Sequence, residues 1–412
     1  MLGDLQENKG VIAIATTPFD EKNHIDYESV ESLADYYLES GVSGVTILGV
    51  MGEAQKLNIE EQKSLIKKYS DKLKNKVPVI VGVSNPGIDN LELLSKFSMD
   101  AGASGVMVSG NNGLKNDDQI KSYFDQIIER TRDIPICLQD YPPTTNVYFS
   151  ESIINNLIEY HSSIHMFKHE DCPGHNKLTR LIKYRKENLK RKYSIFVGNG
   201  GLYVPQELRR GADGIMTGFA FIEMLVNVFD LFNNNSKENS EDLFDIYLPL
   251  IRHEQQFGIG LALRKFVLQK RGIIKFSKVR APGPMLSNED IEEINNLFKR
   301  LKSKLIEKDF NEAFAIGINA ILTPTTPSPA FDLNSKTKEN PVEMYLNDIF
   351  TVPTNLAGLP AISIPTGLSK NGLPLGLQLI GPKWGEQEIL NVAYRIENEA
   401  DFNHKPNSWW NY

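Results

Sequence analysis

From residue 11 to about residue 220 the chain alternates short apolar runs with longer amphipathic ones. The apolar runs are Val11–Ala15, Val45–Leu48, Val79–Val83, Gly105–Val108, Ile134–Leu138, Ile164–Phe167, Ile195–Val197 and Gly214–Met216. Between them, apolar residues at helical spacing mark Tyr27–Leu38, Glu60–Leu73, Asn90–Met99 and Asp117–Arg130. The short runs are apolar throughout rather than alternating, which is the pattern of strands covered on both faces. Small turn residues precede several of them, as in Gly41-Val42-Ser43-Gly44 and Gly211-Ala212-Asp213-Gly214. Such βα units in series predict an α/β fold, a closed (β/α)8 TIM barrel with helices outside. An open doubly wound sheet is the competitor, and no G-x-G-x-x-G follows the first strand to favour it.

A polar stretch, Asn233–Glu241, reads as a surface loop. Three helical patterns follow, near 242–256, 258–271 and 288–307, as a C-terminal helical extension of the barrel. The character changes near residue 305, where Pro, Thr, Gly and Asn become frequent, as in Thr323–Pro329. That remainder holds two strand-like runs, Ala361–Pro365 and Leu375–Ile380, and one helix, Glu386–Ala400. So few elements bury little surface, and the expectation is a tail too small to fold well alone. The expected division is therefore barrel over 1–225, helical extension over 226–303, and an incomplete α/β tail over 304–412.

Composition narrows the class only a little. Hydrophobic residues at 41% and charged residues at 24% are ordinary for a globular protein. A net charge of −7 offers no basic field for nucleic acid or an anionic membrane surface. Cys137 and Cys172 are the two cysteines, too few for a disulfide framework, so a reducing, cytoplasmic setting is expected. The N-terminus lacks the apolar core of a signal peptide, and no stretch approaches the ~18 apolar residues of a membrane span. His161, His165, His169 and His175 cluster in sequence but straddle a strand and a loop, so no metal site is expected.

In a barrel of this kind the active site lies at the C-terminal ends of the strands. Lys168 follows the buried run Ile164–Phe167 and would point into a pocket, where partial desolvation favours its neutral, nucleophilic form. Such an amine can form a Schiff base with a keto acid; on local sequence alone, a lysine snorkelling to solvent is the plainer reading. The turn Gly49-Val50-Met51-Gly52-Glu53 after the second strand can aim backbone N–H groups inward as a nest for a carboxylate. After the fifth strand, Gln139 and Tyr141 share a face, so one or both can reach the pocket, although Tyr141 can equally pack on Pro142 and Pro143. After the seventh, the glycine at Gly198 leaves room for substrate.

Together these marks give a resemblance. Thr17-Pro18-Phe19, the G-x-x-G-E of Gly49–Glu53, Val81-Gly82-Val83, Lys168, the Gly198 turn and Val279-Arg280-Ala281-Pro282 make residues 10–302 similar to the dihydrodipicolinate synthase / N-acetylneuraminate lyase family. The resemblance implies a TIM barrel with a helical extension, usually a homo-oligomer, and a class I lyase that needs no cofactor. It also implies Lys168 as the imine-forming residue and the 49–53 loop as the holder of a keto acid's carboxylate. The departures are specific. The Ser/Thr pair of that loop is Val50 and Met51 here, and the proton-relaying tyrosine aligns with Gln139, with Tyr141 two residues on. The expected arginine falls near Thr144, and Ser109–Gly113 replaces an aromatic segment. Tyr141 and Glu53 are left as candidate proton carriers, and the second substrate stays open.

From about 304 onward a second resemblance begins. Ala313-Phe314, Leu322–Phe331, Met344–Asp348, Asn355–Pro360 and Gly372–Gln378 resemble the C-terminal part of an amidase-signature enzyme, in particular the A subunit of glutamyl-tRNA amidotransferase. That family hydrolyses with a Lys-Ser-Ser triad upstream of the matching part, and this sequence has no equivalent segment. Three readings therefore stand: a Schiff-base lyase, an amidase-type protein, or a non-catalytic chimera.

Overall fold

The computed structural model describes residues 5–331 and 346–403, which form two compact units divided after Ile294. The marks at Met344 and Tyr345 lie outside the described residues.

In the first unit eight parallel strands close a barrel in sequence order. They are β1 (Gly10–Ile14), β2 (Gly44–Ile47), β3 (Val79–Gly82), β4 (Gly105–Ser109), β5 (Ile136–Asp140), β6 (Ile164–His169), β7 (Ser194–Val197) and β8 (Gly214–Thr217). The helices between and after them are α1 (Tyr27–Glu39), α2 (Ile59–Leu73), α3 (Ile88–Asp100), α4 (Asp117–Thr131), the short α5 (Pro142–Thr145), α6 (Glu151–Tyr160), α7 (His175–Asn188), α8 (Val204–Arg209) and α9 (Ile222–Asn233). The polar residues before the apolar periodicities are helix caps. Asp26, Asn58, Asn116 and Ser150 each accept a hydrogen bond from a first-turn amide, and Asn58 with Glu61 completes a capping box.

The expected barrel is the observed one, with strand ends shifted by one or two residues. The strand expected from Ile134 starts at Ile136, because Pro135 has no N–H to give the ladder. The sixth strand runs on to His169, so Lys168 sits inside the ladder, in register with Gln139 on one side and Phe196 on the other.

The floor of the barrel is apolar. Ile12, Ile14, Ile80, Met107, Cys137, Met166, Phe196 and Met216 meet along the axis, and Leu5 joins this cluster from the N-terminal turn. Along β5 and β6 the period of two then carries the inner face from Cys137 and Met166 to Gln139 and Lys168. Chemistry thus begins one layer above a dry core.

Two further helices, α10 (Lys237–Glu254) and α11 (Gly260–Lys270), form the extension, and α12 (Asn288–Ala315) starts at a Ser287–Asp290 capping box. α12 runs past the expected end near 307, because neither glycine nor proline interrupts the pattern until Gly317.

The second unit holds a three-stranded antiparallel sheet of β9 (Ile321–Pro324), β10 (Ala361–Leu368) and β11 (Pro374–Ile380), with β11 central, and the helices α13 (Thr351–Ala357) and α14 (Glu386–Ala400). Ile321–Pro324, outside the two strand-like runs expected here, makes an edge strand, where a proline ending the strand is tolerated. Alternate residues of β11 face opposite ways. Leu379 packs with Ile364, Ile389 and Ala393, while Ile380 packs with Ala357, Leu359 and the Ile306–Phe310–Phe314 stripe. No helix among the described residues is long and apolar enough to cross a membrane.

Candidate active site

At the C-terminal mouth of the barrel a cavity of about 40 Å³ is lined by Gly49, Val50, Met51, Gln139, Tyr141, Lys168, Glu170 and residues of β8 and the extension. Six of the nine residues singled out in the sequence therefore meet in one place. Lys168 is 4% exposed, and its Nζ lies 2.9 Å from Oε2 of the equally buried Glu170. The same oxygen accepts a hydrogen bond from Gln139 Nε2 at 2.6 Å. Amine, carboxylate and amide thus form one buried, mutually oriented group. Tyr141 stands at the start of α5; burial, then the charge of Glu170, pushes its phenol pKa up, so it holds its proton at neutral pH.

The other three predicted residues do something else. Glu53 is buried outside the cavity, and its carboxylate is fully engaged: Oε1 accepts from Lys265 Nζ at 2.5 Å, Oε2 from Lys56 Nζ at 2.9 Å and from the Arg280 amide at 3.0 Å. Its expected place as substrate ligand or proton carrier gives way to a rivet between the loop after β2 and the extension. Gly52 carries the carbonyl that Thr17 Oγ1 holds at 2.6 Å, again outside the cavity. Gly198 leaves room for a neighbour rather than for substrate, since a Cβ there would collide with the Glu170 carboxylate. Phe19 and Arg280 belong to the same rivet, with the guanidinium over the ring at 4.3 Å and paired with Glu61. Several marks of the resemblance are thus structural.

The lining residues outside the predicted set include Glu170, Gln255 and Arg264. Glu170 had a signal, because it lies two residues beyond Lys168 and so extends the same inward period. Gln255 and Arg264 had none, coming from the end of α10 and from α11, far along the chain. The clustered histidines have separate partners: His161 contacts Asp125, His165 contacts Gln6, and His169 contacts the Gly174 carbonyl. A larger cavity, of about 870 Å³, is lined by Asp171, His175, Lys177, Arg180, Glu207 and Arg210 among others, and contains none of the predicted site residues.

A model of the dihydrodipicolinate synthetase family matches residues 7–301. The chain belongs to that family. It is by membership a lyase of the aldolase type. A crystal structure of dihydrodipicolinate synthase from Rhodopseudomonas palustris is 43% identical, with a TM-score of 0.70, covering 72% of this chain and 98% of that one. The synthase from Thermotoga maritima, 23% identical with a TM-score of 0.66 over 72% of this chain and 99% of that one, shares the fold.

A second model, of the amidase family, matches residues 275–390. The C-terminal part is similar to the A subunit of glutamyl-tRNA(Gln) amidotransferase from Ruegeria pomeroyi, 57% identical over 115 residues, which are 28% of this chain and 23% of that protein. Its counterpart from Dinoroseobacter shibae is 60% identical over 106 residues, 26% of this chain and 21% of that protein. The chain thus spans under a quarter of the length of these curated relatives.

Proposed function

We propose that Lys168 condenses with pyruvate or a related 2-keto acid and that the resulting imine drives aldol addition, aldol cleavage or dehydration. The observation that supports this best is a buried amine 2.9 Å from a buried carboxylate at the mouth of a family barrel. Glu170 first takes a proton from the Lys168 ammonium, and the freed lone pair attacks the keto carbon. Two protons end on the former keto oxygen, which leaves as water, and a C=N bond remains as the protonated imine. Glu170 is placed to return a proton to that oxygen, and Tyr141, held protonated, can give one to substrate. Glu170, again a carboxylate once water has left, takes a proton from the adjacent carbon to give the enamine, which adds to an aldehyde whose oxygen receives its proton from Tyr141; the reverse order cleaves. Glu170 and Tyr141 here replace the relay that Val50, Met51 and Gln139 lack.

The chain's division into a barrel over 1–225, an extension over 226–303 and an amidase-like remainder over 304–412 belongs to this proposal. So do a homo-oligomeric state and a cytoplasmic location. The amidase-type reading draws on the C-terminal part alone, and the sequence has no counterpart of that family's triad.

Borohydride reduction in the presence of pyruvate, followed by peptide mass spectrometry, tests the reading. A pyruvyl adduct on Lys168 is expected; its absence with pyruvate and longer 2-keto acids on folded protein overturns the proposal. Glu170→Gln should slow imine formation by about 10²- to 10⁴-fold, the range for loss of a positioned proton carrier, as read by the rate of trapping.

A further inference from the structure

Arg264 is 2% exposed, yet its Nη1 has no hydrogen-bond partner among the described residues. Its Nε donates to Glu254 Oε2 at 2.9 Å, which fixes the guanidinium plane, and Arg264 is among the residues lining the cavity that Lys168 also lines. Gly218 at the end of β8 makes way for it, because a Cβ there would meet Nη1. Gln255 adds a second unpartnered donor, its Nε2, to the same lining. A buried donor without a partner is costly, and a guanidinium edge beside an amide matches the two oxygens of a carboxylate. The loop after β2 brings only Val50 and Met51 side chains, so it offers no hydroxyl for that task. The lining cations are Lys168 and Arg264, and Lys168 is engaged by Glu170.

Building on the Schiff-base reading, we propose that Arg264, supported by Gln255, binds the substrate carboxylate alongside the backbone N–H groups of the loop after β2, taking over what that loop would do with hydroxyls. The extension, rather than the barrel, then selects an acid over its neutral analogue. The small volume of the cavity suits an acid of few carbons.

The test compares pyruvate with methyl pyruvate, which keeps the ketone and lacks the charge, by the concentration that half-saturates borohydride trapping on Lys168. In Arg264→Gln, pyruvate should need about 10- to 100-fold more, the loss of one charged hydrogen bond, while methyl pyruvate moves less than about threefold. Equal shifts for the two, or none for pyruvate, overturn the assignment. If Arg264→Gln leaves the buried Glu254 unpaired and fails to fold, the double change Arg264→Gln with Glu254→Gln restores an amide pair and gives the same readout. Wild-type protein that traps neither compound on Lys168 overturns the imine reading itself, and this inference with it.

Discussion

The barrel unit and the C-terminal unit bury their apolar residues very differently. In the barrel, interior and helix-facing layers are closed, and Phe124, Phe167 and Phe196 have no exposed surface. In the shorter second unit, Leu379 and Ile380 anchor two small clusters on opposite faces of the sheet. Its sheet is open, since β9 and β10 each have one neighbour among the described residues. A closed barrel has no edge to protect, whereas a three-stranded sheet has two. The difference teaches where function can be held rigidly. An ion pair as buried as Lys168–Glu170 needs the over-determined surroundings that the first unit has and the second lacks.

The comparison can be broken first at the chemistry. Lys168→Met should abolish imine trapping and lower lyase turnover by at least about 10³-fold, since no other lysine among the described residues lines the cavity. A chain ending after residue 315 should keep trapping within about twofold of full length. If that truncation removed trapping on a folded barrel, the second unit would share in the site and the contrast would fail.

Packing gives a smaller effect. Phe196→Ala in the barrel axis should cost about 3–5 kcal/mol in urea unfolding, and Leu379→Ala in the small sheet about 2–5 kcal/mol. The informative result is whether the second change moves the barrel's transition. Two transitions, of which Leu379→Ala lowers only one, are expected.

Per pH unit, the smallest effect is electrostatic, and it belongs to the barrel alone. Burial, with the Glu170 charge behind it, pushes the Glu207 carboxyl pKa up to about 8. Its folded pKa exceeds the unfolded one, so between about pH 4.5 and 8 the unfolded chain binds fewer protons and stability falls as pH rises. The slope contributed is at most about 1.4 kcal/mol per pH unit. Urea midpoints across that range should show the decline, and Glu207→Gln should flatten it. A decline unchanged in the variant would assign it to other groups.

Much of the first unit was legible because its signals are local. Strands covered on both faces read as apolar runs, and caps such as Asn58 and Ser150 are written beside the helices they start. The second unit was less legible. β9 hides in a proline- and threonine-rich stretch, and its status as a strand depends on pairing with β11 some fifty residues on. At the site, the period of two could have found Glu170, whereas Glu53 misled: a carboxylate in a glycine turn looks available until Lys265 and Arg280 arrive from the extension.

By itself the sequence determined the eight-unit order, the inward lysine and the family, because backbone periodicity and a strand's two faces are set within a few residues. Only the tertiary structure decided which polar groups are already satisfied. Glu53 is engaged by Lys265, more than two hundred residues along the chain, while Arg264 pairs through Nε with Glu254 and keeps Nη1 without a partner among the described residues, and such hydrogen bonding is settled by folding rather than by spacing along the chain.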